Sequence, residues 1–292
     1  MMEARRLLIL APHPDDEIVA CGIAAARAIS VGAQVFVLYL TTGVPEPATL
    51  WPRQRAGYAA RLRRRRVEAE ATAALIGLDP LAFLDWPSRR LREHLDEALV
   101  EIDRALADCA ALALWVPAFE GAHQDHDAAN ALAARFRDRV PVWEFAAYNF
   151  AGGRVRANSF PAGHGGEIAI EPTPAETRLK RKALACYASE RANLGHVRIE
   201  REMCRKLPRY DYAAPPHAGR LFRERFHWVP FRHPRIDFAP SDQVYAEIGR
   251  WASAADGGRS PAIGDCPGGE PGQPHRELAG ALDEPERQRG LG

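Results

Sequence analysis

Pro12-His13-Pro14-Asp15-Asp16-Glu17 crowds one histidine and three carboxylates into a few residues. His13 and Asp16 stand three residues apart, so at the start of a helix both can point to one centre. A histidine plus a carboxylate suits zinc, or another divalent ion such as iron or cobalt. One more ligand would complete a three-ligand site with positions open for water. His123-Gln124-Asp125-His126 can supply it. Alone, that second cluster reads as polar surface or a helix cap, since Asp125 is a good capping residue. The first cluster exceeds any capping need, because a helix dipole favours each acid at its N-terminus by under about 1 kcal/mol.

Each cluster follows an apolar run that reads as a buried strand, at 6–11 and at 111–116. Helices are expected after them, over 16–31 and 125–137. In an open α/β sheet such turns lie at the carboxyl ends of strands, where ligands bind. If the two strands are neighbours, the clusters meet at one sheet edge. Further strands are expected at 34–40, 82–84 and 140–145. Helices are expected at 53–76, ended by Gly77, and at 91–109. The alternation predicts an α/β, Rossmann-like fold: a mostly parallel sheet with helices on both faces. Past Phe150 the pattern loosens. A Gly-rich loop is expected at 151–166, an edge strand at 167–170, a helix at 174–190 and irregular structure at 209–240. From Ser253 the composition turns to Gly, Pro, Ala and charge, which predicts a disordered tail. The expected organisation is one domain over 1–252, with a core at 1–150 and a substrate-capping region at 151–252, followed by the tail at 253–292.

The 292 residues are 47% hydrophobic and 26% charged, which suits one large α/β domain or two small ones. With 39 basic and 38 acidic residues, the chain makes no electrostatic case for nucleic acid or an anionic membrane. No window approaches the roughly 18 apolar residues of a transmembrane helix. The apolar run near the N-terminus is too short for a signal peptide. Cys21, Cys109, Cys186, Cys204 and Cys266 are odd in number and widely spaced, so free thiols in a reducing cytoplasm are expected. The Arg- and Ala-rich composition suggests a high-GC bacterial genome.

Pro-His-Pro-Asp-Asp-Glu with a later His-x-Asp-His resembles the LmbE-like, or PIG-L, family of zinc-dependent N-deacetylases. The likeness covers roughly residues 5–150. It implies a Rossmann-like fold, metal ligands at His13, Asp16 and His126, and a general base at Asp15. By the same resemblance His123 would stabilise the oxyanion or donate a proton, Asp125 would orient a histidine, and Glu17 would be structural. Arg65, in an Arg-x-x-Glu pattern with Glu68, would reach substrate. The implied cofactor is Zn²⁺, one per chain, with other divalent ions as candidates. The implied partner is a small N-acetylated molecule, an amino sugar of the GlcNAc type or its conjugate, cleaved to release acetate. An amidase of the same chemistry on a non-sugar amide or thiol conjugate is the alternative. The resemblance also allows a homo-oligomer.

Two positions depart from the family pattern. Gln124 stands where a proline is common, which loosens the turn and leaves every ligand in place. Ser88 follows Leu84-Asp85-Trp86-Pro87 where an acid often contacts sugar, which leaves the substrate open. Gly-x-Gly-x-x-Gly is absent after the first strand, against a nucleotide-binding module. Two histidines favour zinc over a magnesium phosphatase, which would take oxygen ligands. Thr41-Thr42-Gly43 could line the pocket or simply turn the chain, and Tyr148 could contact substrate or pack.

Overall fold

The computed structural model describes residues 4–231 and 233–256. Its main sheet has seven strands: β1 (Arg6–Ala11), β2 (Gln34–Tyr39), β3 (Asp79–Phe83), β4 (Ala113–Pro117), β5 (Val142–Ala146), β8 (Ile168–Ile170) and β9 (Glu202–Lys206). Between β5 and β8, the short β6 (Tyr148–Asn149) and β7 (Arg156–Ala157) pair separately. The strand order is β3-β2-β1-β4-β5-β9-β8. The first five strands are parallel, and β9 and β8 continue the sheet antiparallel.

The helices are α1 (Asp16–Val19), α2 (Gly22–Ser30), α3 (Pro52–Ala56), α4 (Tyr58–Ile76), α5 (Leu95–Asp108), α6 (Gln124–Ala134), α7 (Pro174–Cys186) and α8 (Ser241–Asp256). They cover both faces of the sheet. Leu8 and Leu10 of β1 join the apolar layer built with α5, α6 and α8. Leu7, Ile9 and Ala11 join the layer built with α1, α2, α4 and α7. A central parallel strand buried on both sides needs such an unbroken apolar run. The expected Rossmann-like layout is therefore present.

β1 lies between β2 and β4, so chain order reverses there and a crevice opens at the strands' carboxyl ends. The first polar cluster leaves β1 into that crevice. The second follows β4, the neighbour of β1.

The segment expected as one helix over 16–31 is two. Val19 O at the end of α1 accepts from Lys180 Nζ at 3.0 Å. Glu202 of β9 accepts the Ile23 and Ala24 N–H groups of α2 at 2.8 and 2.9 Å. Lys180 and Glu202 are themselves paired at 2.6 Å, both buried. Removing one partner strands a buried charge. Lys180→Met is expected to cost roughly 3–5 kcal/mol in urea unfolding; a loss under about 1 kcal/mol would show that the pair does not hold the break.

The helix expected at 53–76 is divided at Gly57, and that at 91–109 begins with a 3-10 turn over Leu91–Glu93. β9 and α8 were not expected. α8 runs across the expected boundary at 252/253, and residues 257–292, with Cys266 and most of the expected tail, lie outside the described residues. Among the described residues four cysteines are free. No described helix is long and apolar enough to cross a membrane.

Candidate metal centre

Asp15 has φ 136° and ψ −24°, a backbone region that L-residues rarely adopt. Such a conformation costs about 1–3 kcal/mol and persists only when its surroundings enforce it. Here the Asp15 N–H donates to Glu17 Oε2 at 3.0 Å, and its carbonyl accepts from Ile18 and Val19. Glu17 is fully buried and also accepts the Tyr187 hydroxyl. The result turns the Asp15 and Asp16 carboxylates apart.

Asp16 faces two histidines. His13 Nδ1 lies 3.0 Å from Asp16 Oδ2, and His126 Nε2 lies 3.1 Å from Asp16 Oδ1. The donor atoms of His13, Asp16 and His126 fall within 4.8 Å of one another. The two histidines together hold the Asp16 pKa well below the usual range, against its burial. His126 is wholly buried, yet neither ring nitrogen has an aligned hydrogen-bond partner. Its Nε2 approaches Asp16 without pointing at it, as expected of atoms aimed at a common third point.

His13, His123 and Asp125 form a second group of equal compactness. The two groups differ in the bonds of Asp125. Asp125 Oδ2 takes His13 Nε2 at 3.0 Å, the Arg89 N–H at 2.6 Å and the Ser88 hydroxyl at 3.4 Å, and Oδ1 takes the Leu91 N–H at 3.3 Å. Asp125 is thus fully engaged as an acceptor, whereas His126 has no aligned partner. In a neutral ring, a carboxylate acceptor at His13 Nε2 favours the tautomer protonated there, with Nδ1 turned toward Asp16. The histidine in hydrogen-bond contact with the Asp125 side chain at 3.0 Å is His13. Burial opposes charge on His13, but Asp16 and Asp125 outweigh it and raise its pKa to about 10.

His123 sits at the edge of this cluster with its side chain about one-fifth exposed. Its Nδ1 accepts the Asp125 N–H at 3.1 Å, so a neutral ring carries its proton on Nε2. Burial, then His13, push its pKa well below the ordinary value.

Arg65 is turned inward. Its guanidinium donates to Pro14 O and lies 3.4 Å from Asp15 Oδ2 and 3.3 Å from Glu190. Arg65 is buried, with 3% of its surface exposed. Burial, opposed by Arg65 and reinforced by Asp16, raises the Asp15 pKa to about 8.

Several supports were not legible as site residues. Ser88, the departure from the family's acid, has its hydroxyl 3.2 Å from His13 Nε2. Arg89 adopts φ 74° and uses its guanidinium to hold the carbonyls of Pro234 and Ile236. Gln124, the departure from proline, donates to Asp237 at 2.5 Å and accepts from Arg92. Thr41 is buried and donates to Pro12 O at 2.7 Å, so the loop after β2 braces the first cluster. A Cβ at Gly43 (φ 67°) would meet Arg65 Nη2 at 2.8 Å. Tyr148 lies with its ring 5.8 Å from that of His126.

Residues 8–136 match the family model PIG-L, described as GlcNAc-PI de-N-acetylase. They form a PIG-L domain. The PIG-L match holds both polar clusters, while β5, β8 and β9 lie beyond it. Among solved structures, a deacetylase–bog complex from the teicoplanin biosynthesis pathway superposes with TM-score 0.57 at 20% identity, covering 70% of this chain and 99% of that one. A teicoplanin deacetylase in a zinc-inhibited form gives 0.52 at 21% identity, covering 70% and 99%. A 4-carboxy-2-hydroxymuconate hydratase from Pseudomonas putida gives 0.52 at 17% identity, covering 70% and 98%. These likenesses are of fold, and the hydratase among them shows that the PIG-L scaffold is similar to one serving another reaction. No curated protein matches the sequence.

Proposed function

We propose that the PIG-L domain is a metal-dependent hydrolase that removes an N-acetyl group from an amino sugar of the GlcNAc type or its conjugate. The observation that carries this is His126, wholly buried without an aligned partner and convergent with His13 and Asp16 beside the strained Asp15. Two imidazoles and one carboxylate fit zinc, with His13 Nδ1, Asp16 and His126 Nε2 as the ligand atoms. Bound there, zinc supplies a Lewis acid that polarises the acyl carbonyl and acidifies water.

The chain's own groups account for the proton transfers. Asp15 accepts a proton from water as its oxygen bonds to the amide carbon. The His123 Nε2–H donates to the carbonyl oxygen as negative charge grows on it. Asp15 then passes its proton to the leaving nitrogen as the C–N bond breaks, giving acetate and a free amine. A neutral His123 suits the donor role and leaves the shuttle to Asp15 alone. Asp125 keeps His13 in the ligating tautomer. Glu17 and Arg65 hold Asp15 in place, and the charge of Arg65 favours its ionised form against burial.

The test is acetate release by zinc-loaded protein from a panel of N-acetylated amino sugars and non-sugar amides. Release from a sugar, lost on metal removal and restored by zinc, is the expected result. Release only from non-sugar amides would retain the chemistry and move the substrate. No release from any member by protein carrying its metal would overturn the deacetylase assignment.

A further inference from the structure

Arg225 differs from the other sheltered arginines. Arg65 has Pro14 O, Asp15 and Glu190; Arg89 has two backbone carbonyls; Arg205 has Glu144 and Glu167; Arg223 has Ala239 O and Ser241. Arg225 has no carboxylate or carbonyl partner among the described residues, and its Nη1 is shut away from solvent with no acceptor. What it does have is a platform. Its guanidinium carbon lies 3.4 Å from the centre of the Phe222 ring and 4.8 Å from that of Phe226. Stacking fixes the plane of the fork without using its N–H donors.

The platform adjoins the metal centre. The Phe222 ring is 4.5 Å from Tyr148 and 4.9 Å from His196, and Tyr148 is in turn 5.8 Å from His126. Burial, then the charge of Arg225, lowers the His196 pKa to about 4, so that ring is neutral at physiological pH. One positive charge without a counterion among the described residues is therefore linked to His126 through the rings of Phe222 and Tyr148. A guanidinium so placed matches the planar, bidentate geometry of a carboxylate or phosphate.

We propose that Arg225, seated on Phe222 beside Tyr148 and His196, is a subsite for an anionic group, carboxylate or phosphate, carried by the N-acyl substrate. This deepens the hydrolase assignment and rests on it. The anion would pair with the fork of Arg225 while the acyl group reaches the cluster of His13, Asp16 and His126.

The test is calorimetric binding to the zinc-loaded full-length protein and to Arg225→Met and Arg225→Lys of equal zinc content. The probes are N-acetylglucosamine, its 1-phosphate and 6-phosphate, and N-acetylmuramic acid, which carries a carboxylate. Wild type should favour at least one anionic probe over the neutral sugar by about tenfold or more. Arg225→Met should bring that ratio close to one, and Arg225→Lys should keep part of it. Which probe is favoured distinguishes phosphate from carboxylate. A wild type with no anionic preference, or a preference that Arg225→Met leaves intact, would overturn the proposal. Acetate release measured alongside separates the two ideas: an anionic preference without hydrolysis would sink the deacetylase assignment, not the subsite.

Discussion

Asp15→Asn is expected to keep its zinc and lose roughly 10²–10⁴-fold in kcat, the usual worth of a positioned general base. The substitution is chosen for its restraint. Asparagine has nearly the shape of aspartate and is among the residues that best tolerate positive φ, so the 136° backbone is not further strained. The bond from the Asp15 backbone N–H to the Glu17 carboxylate does not use the Asp15 side chain and survives. What disappears is the capacity to accept a proton from water and return it to the amine. Metal analysis with steady-state kinetics checks both halves. A variant within about threefold of wild type would remove Asp15 from the proton path, and one that arrives without metal would show that its charge helps retain the ion.

His126→Ala should have the other large effect. It deletes one of only two imidazoles in the cluster, so zinc content should fall from about one per chain to near zero. Turnover should fall by about 10³-fold or more, since the Lewis acid goes with it. A second readout separates metal loss from misfolding. Ligands that bind only the folded state raise its melting temperature. Wild type should therefore gain thermal stability on adding zinc, and the variant should not. Zinc retained at full stoichiometry by the variant would point to the alternative group of His13, His123 and Asp125.

Much of this centre was legible because its two clusters each follow an apolar strand, and β1 and β4 proved to be neighbours. The bracing was not, for a physical reason: it is tertiary. β9 hides from pattern reading because Glu202 and Arg205 are charged and fully buried, satisfied by Lys180 of α7 and Glu144 of β5. A strand whose inward residues are ionic shows no hydrophobic alternation. The break between α1 and α2 escaped for the same reason, since its backbone groups are satisfied by side chains some 160 to 180 residues away. The Arg-x-x-Glu pattern singles out Arg65 without showing that it packs against Pro14, Asp15 and Glu190. Ser88 looked like a lost sugar contact and is instead packed against the His13–Asp125 bond.

The grip of Arg89 and Gln124 on residues 234–237 bears on how this protein can be dissected. Every residue assigned to the chemistry lies between positions 13 and 126, which invites expression of that stretch as a minimal enzyme. Such an excised fragment would lack the chain that Arg89 and Gln124 hold, releasing the loop that carries the Asp125 contacts. It would also bare the flank of β4 where β5 now pairs, leaving an open strand edge prone to aggregation. The smallest useful recombinant piece therefore extends through α8, and a proteolytic cut near residue 230 should silence the enzyme while sparing all of its catalytic side chains.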